Sequence, residues 1–243
     1  MSPERLLAEL NLTWLDISAL FLFLLCWIGY PLFAAWRGRR HPSLHSTMDR
    51  YRRDWMLRMI ERDNRMVDVN IMRNLTRSSQ FFASTTMLVL GALIALLGYV
   101  QQAMDVVSGL PFTVKASQRL LEIKMLLLVL IFVYAFFKFS WAIRQLGFCS
   151  TLIGAAPKTP GDNPEQHAAE INRIAAITSY AGTNFNNGLR SYYFALAAMT
   201  WFLHPWLMLV ATGWVVYVLQ HREFASMTLR TLTASDTSTD ARY

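Results

Sequence analysis

The stretch from Asp49 to Val100 constrains this chain more than any other. Its first half, DRYRRDWMLRMIERDNRMVDVNIMRNLTR, is charged and rich in arginine, and its second half, SSQFFASTTMLVLGALIALLGYV, carries no charge. No Gly or Pro separates the halves, so the pattern predicts one long helix that leaves an aqueous compartment and enters a bilayer. About 20 apolar residues, rising about 1.5 Å each, cross roughly 30 Å of hydrocarbon.

Counting arginines orients this element. Eleven lie between Arg37 and Arg77, at 37, 39, 40, 50, 52, 53, 58, 62, 65, 73 and 77, whereas the connection after the apolar run holds only Lys115 and Arg119. Basic residues accumulate on the cytoplasmic side of spans. Residues 37–78 are therefore expected in the cytoplasm, with the N-terminus outside and a bacterial inner membrane as the location. The net charge of +7 then points to a bilayer with anionic headgroups as partner. It does not point to nucleic acid, because no aromatic-basic groove or nucleic-acid motif accompanies it.

With 54% hydrophobic residues in 243, the expected architecture is an all-α, polytopic transmembrane helical bundle filling 1–230, with a flexible tail at 231–243. Five spans are expected at about 14–36, 79–100, 123–142, 190–204 and 206–220, with cytoplasmic helical segments at 48–78 and 164–182. A short surface helix, MSPERLLAEL, precedes them. The fifth span depends on His204-Pro205, which interrupts the last apolar region. Proline removes a backbone donor and disfavours helix at the residue before it. A tight reversal there leaves two short spans and a cytoplasmic C-terminus, whereas a mere kink gives four spans.

Trp14 and Trp36 bracket the first span as interfacial anchors. Asp16 is expected to be hydrated near its end. Lys124 and Lys138 are expected to snorkel from the ends of the third span, whose bulky Leu and Phe content suits lipid. The second span carries a mostly small stripe, Ser84, Leu88, Gly91, Ala95 and Gly98, which lets another helix approach closely. That span is accordingly expected at the centre of the bundle, and a homo-oligomer is expected from the stripe.

Polar residues gather where helices meet the membrane. Asn64, Asp68, Asn70, Asn74 and Arg77 precede the second span, and Asn184, Asn187 and Arg190 precede the fourth. The two clusters are expected to face each other at the cytoplasmic boundary, as a wet vestibule or a structural clamp, with Asp68 paired to Arg190 or Arg77. A solvated helix face is the plainer alternative.

Catalytic signatures such as HExxH, CxxC, GxSxG, Walker A and GxGxxG are missing from the sequence. No catalytic residue, metal site or cofactor is assigned. Cys26 and Cys149 form no disulfide framework, and Pro42 weakens any helical metal reading of His41 and His45.

The segments NRMVDVNIMRNLTRSSQFFASTTMLVLGALIALLG and NFNNGLRSYYFALAAMTWFLHPWLMLVATGWVVYVL resemble the bacterial and plant membrane family called domain of unknown function 599, over residues 12 to about 230. The resemblance implies a multi-span architecture and transfers no activity or catalytic residues. The expected function is a homo-oligomeric channel or facilitator for a small ion or solute, its path lined by the boundary residues. The alternatives are a scaffold on anionic lipid and, after it, a membrane enzyme drawing on Asp16, Asp68, Glu122 or His204.

Overall fold

The computed structural model describes residues 13–102, 117–156 and 164–239. The expected surface helix before Thr13, most of the connection after the second span and the loop at 157–163 lie outside them. The described residues form seven α-helices and no strand: α1 (Trp14–Gly38), α2 (Leu44–Ile60), α3 (Met66–Gly98), α4 (Gln118–Ala155), α5 (Pro164–Met199), α6 (Pro205–Phe224) and α7 (Met227–Thr239). The protein is thus an all-α helical bundle. α1, α3 and α4 are long and apolar enough to cross a membrane, which suggests membrane association.

The continuous helix expected from Asp49 to Val100 is broken at residues 61–65. Short polar side chains break helices by offering the backbone a competing partner. Here Asn64 Oδ1 accepts from the Met66 backbone N–H at 2.9 Å, which starts α3 afresh. Arg65 then reaches across to the carbonyls of Ile153 and Ala156, both at 2.8 Å, satisfying acceptors that the end of α4 leaves open. Pro42 and a Ser43/Ser46 capping box start α2 in the same decisive way. α7 is helical through Thr239, where a flexible tail was expected from residue 231.

No boundary divides the expected cytoplasmic segment 164–182 from the fourth span, because α5 runs unbroken from Pro164 to Met199. At its end a 3-10 turn, Thr200–Phe202, leads to His204 and Pro205, and α6 begins. The break is a reversal. His45 is touched both by Thr183 of α5, at 3.0 Å, and by Glu223 of α6, at 3.3 Å. Forty residues that leave and return to one histidine form a hairpin, and the turn lies at its midpoint. His204 Nδ1 accepts from Trp206 N–H at 3.1 Å and so caps the returning helix.

The chain forms two compact units. The described residues of the first fall within Met1–Ala35, Thr85–Phe136 and Leu189–Leu219, and those of the second within Trp36–Ser84, Phe137–Gly188 and Gln220–Tyr243. The first is centred on Phe23, Ile131, Phe194, Trp201 and Met208. α1 and α5 run antiparallel in it, since Phe23 packs edge-on to Phe194 (5.9 Å) while Trp201 bonds Asp16. Met56, Met59, Ile60, Cys149 and Ile174 anchor the second core. Ile171, Ile174 and Ala175 of α5 share this core with Met56, Met59 and Ile60 of the Arg-rich α2. Gly188 is required there: a Cβ would lie 2.6 Å from the Phe139 ring, which is itself stacked on Phe82 at 5.4 Å.

α4 and not α3 is the interior helix. In the most apolar 18 residues of each, 50% are buried in α4 and 17% in α3. The reversal has a physical cause. Bulky side chains interdigitate well, and hydrocarbon outside a helix tolerates small residues as readily as large ones.

Candidate functional site

In the second unit Asp68 is completely buried on α3. Its Oδ1 accepts from Trp55 Nε1–H of α2 at 2.6 Å and from Arg62 Nη1–H at 2.8 Å. The expected partners, Arg190 or Arg77, are replaced by an arginine six residues upstream, which the 61–65 break folds back over α3. Asp68 Oδ2 is buried without a hydrogen-bond partner. Such a half-satisfied carboxylate is costly to bury unless its charged neighbour stays in place.

Asn184 of α5 is half-buried and fully engaged. Its Nδ2–H donates to Gln145 Oε1 (2.9 Å) and to the Tyr180 carbonyl (3.0 Å), and its Oδ1 accepts from Lys138 Nζ (3.2 Å). Lys138 therefore turns to an amide on α5 instead of snorkelling freely. Asn187 is half-buried, whereas Asn64, Asn70, Asn74 and Arg77 are exposed. Arg190 belongs to the first unit, where its guanidinium lies 5.3 Å from the Tyr30 ring centroid. The structure joins the amide of α5 to α4, while the amides of α3 point away from the chain.

The outward face of α3 is regular. Its buried positions, Asp68, Met72, Ser79, Ala83, Thr86 and Leu90, step by three, four and seven residues along one narrow strip. Opposite them, exposed, lie Asn70, Arg77, Ser84, Gly91 and Gly98, seven apart, with Asn74, Leu88 and Ala95 between. Among the described residues the small-residue stripe thus packs on nothing, and a Cβ added at Gly91 or Gly98 would meet none of their atoms within 4 Å.

Two polar centres went unread in the sequence. In the first unit Asp16 and Lys124 are both buried, at 4% and 5% exposure, and both converge on the fully buried Trp201. The indole Nε1–H donates to Asp16 Oδ1 at 2.8 Å, and Lys124 Nζ donates to the Trp201 carbonyl at 2.8 Å. Thr13 supplies two further donors to Asp16 Oδ2, its backbone N–H and its hydroxyl. Asp16 is therefore not hydrated and Lys124 does not snorkel. Two charges, each just inside an apolar run, call for partners because neither can stay unpaired in a low dielectric, but the sequence does not show which partners they meet.

The second centre surrounds His45 in the other unit. Thr183 spends its hydroxyl hydrogen on the Ser179 carbonyl (2.9 Å), so its oxygen accepts from His45 Nε2–H (3.0 Å). Asp49 Oδ2 lies 3.6 Å from the same nitrogen, and Asp49 Oδ1 holds Arg52 at 2.7 Å. The Arg52 guanidinium lies directly over Gly182, where a Cβ would come within 2.6 Å of it. His45 joins three helices, a role its isolation in sequence hides.

Of the residues weighed for acid–base chemistry, Asp16, Asp68 and His204 hold the bonds given above, and Glu122 accepts from Gln118 one turn earlier (3.0 Å). Among the described residues no group of three His, Cys, Asp or Glu side chains is placed to hold a metal ion.

Comparison with known proteins places residues 18–228 within a single family model, described as protein of unknown function, DUF599. Nothing among curated proteins and nothing among solved structures matches the chain.

Proposed function

The chain belongs to the DUF599 family, and on that premise we propose that it is a five-span protein of the bacterial inner membrane that assembles into a homo-oligomeric channel or facilitator for a small ion or solute. The N-terminus is outside and the C-terminus cytoplasmic. The arginine bias of residues 37–77 and the α5–α6 hairpin support that topology. Family membership supplies no chemistry, so the reading rests on one observation, the outward face of α3.

That face exposes Asn70, Asn74 and Arg77, then Ser84, Gly91, Ala95 and Gly98. Its small residues lie in the expected span, where they meet either lipid or another protein surface, and small residues allow close helix contact. Asn70, Asn74 and Arg77 lie just before that span, at the cytoplasmic boundary, where amides and guanidinium groups keep water or a polar partner, since hydrocarbon would cost a few kcal/mol each. A ring of subunits with α3 toward its axis resolves both demands, with the polar part of the helix lining a wet path and the small part contacting the neighbouring copy.

Purified protein in liposomes tests the proposal. The wild type should pass a small ion or solute, and Asn74→Leu should reduce the flux about tenfold or more, as expected for loss of a polar lining group. Its thermal midpoint should not change. Impermeable wild-type liposomes would refute the reading. The second reading, a scaffold on anionic headgroups, draws on the exposed Arg53 and Arg58 of α2. It calls for binding to anionic vesicles without flux.

A further inference from the structure

We infer that the solute taken by this path is a small anion, an inference that rests on the outward face of α3 being the path. From Met66 to Gly98 the helix carries three charges, Asp68, Arg73 and Arg77. The fold withdraws the acid alone. Asp68 is 0% exposed and holds Trp55 and Arg62, while Arg73 and Arg77 remain exposed four residues apart. Residues at that spacing are neighbours on one side of a helix. Asn70 and Asn74 are exposed beside them and bring amide N–H donors.

A solute moving along this stretch therefore meets two guanidinium groups and two amides, and no carboxylate from α3. The uncharged run that follows adds none, since the next acid after Asp68 is Asp105. Rings of Arg concentrate anions and exclude cations. The N-terminal end of α3 adds the positive end of its dipole on the same side. Guanidinium groups from several copies at a common axis repel one another, and a small anion between them removes that repulsion while accepting their hydrogen bonds. Had Asp68 faced outward, it would have neutralised one arginine and the selectivity with it. Burial of this one carboxylate sets the sign of the path.

Reversal potentials decide the matter, measured on the full-length protein in neutral-lipid bilayers under a potassium chloride gradient. Currents should reverse near the chloride equilibrium potential and persist when nitrate replaces chloride. Arg73→Gln with Arg77→Gln should lower the chloride-to-potassium permeability ratio about tenfold or more, whereas the two Arg→Lys changes should preserve it. Both double variants should melt in detergent as the wild type does, since these side chains are exposed. Cation-selective wild-type currents would overturn the inference and leave the channel standing. No current at all would overturn the channel, and this inference with it. An unchanged ratio in the Gln variant would remove α3 from the filter. If that variant merely binds anionic vesicles less well, the arginines face headgroups and the inference likewise falls.

Discussion

α3 and α4 are both long apolar helices, yet one lies at the edge of the fold and the other inside it. Hydropathy does not separate them, and side-chain size misleads, because the helix with Gly and Ala is peripheral and the helix with Leu and Phe is interior. What separates them is how much of each helix finds partners, since on α3 only the narrow buried strip does so, where Asp68 and Thr86 bond Trp55, Arg62 and Tyr192. The α3 hydroxyls of Thr76, Ser78 and Ser79 bond the carbonyls of Met72, Asn74 and Leu75, four residues back on the same helix. They need no neighbour. On α4, Lys124, Lys138 and Gln145 all bond atoms beyond their own helix, on Trp201 and Asn184. A polar side chain too long to satisfy itself on its own backbone marks a helix enclosed by others.

The sharpest way to break this comparison is to exchange glycines for leucines. Gly188→Leu would drive a side chain into Phe139, which is fully buried against α5, and should cost about 3 kcal/mol or more, as overpacking a core does. Gly91→Leu on α3 meets open space and should leave protomer stability within about 0.5 kcal/mol. The second change should lower the mass of the detergent-solubilised particle, if α3 contacts a second copy. Thermal melting and light scattering on both variants read the two effects. Equal destabilisation would mean that α3 is as enclosed as α4.

A smaller loss is expected at the buried pair. Lys124→Met removes the cation that accompanies Asp16 but leaves the three hydrogen bonds to that carboxylate, so the expected cost is about 2–3 kcal/mol. Adding Asp16→Asn to Lys124→Met should recover stability, because the uncompensated charge goes with it. Denaturation of the single and double variants checks this. Further loss in the double variant would show that the two charges act on Trp201 independently.

Most of the architecture was legible because it rests on local chemistry. The helical segment expected from residue 164, the His204-Pro205 reversal and the apolar runs each follow from one or two residue types acting on their own backbone. The helix break at 61–65 was not legible, since neither Gly nor Pro marks it, and the asparagine cap acts together with Arg62, folded back onto Asp68, and Arg65, whose partners Ile153 and Ala156 lie far along the chain. Asp16 and Lys124 stand 108 residues apart in sequence; each alone suits a hydrated helix end, and only tertiary structure reveals Trp201 between them. The boundary amides of α3 and α5 do not pair with each other as expected, because sequence spacing shows which side of a helix a residue occupies but not whether that side faces the chain or its surroundings.

Those amides provide the smallest and most discriminating test. Asn184 and Asn74 are the same residue type in helices that both pass from polar to apolar sequence. Asn184→Leu takes one hydrogen bond from Lys138 Nζ and one from Gln145 Oε1 on α4, neither of which a leucine can replace. Partial exposure lets water recover part of the loss, so about 1–2 kcal/mol is expected. Asn74→Leu breaks no side-chain bond to another helix, and its backbone carbonyl keeps the Ser78 hydroxyl. It should stay within about 0.5 kcal/mol of the wild type while reducing flux. A clamp at α3 would invert the pattern, with Asn74→Leu lowering the melting temperature and sparing transport. Measured side by side, the two substitutions separate an asparagine that holds the bundle together from one that faces what passes beside it.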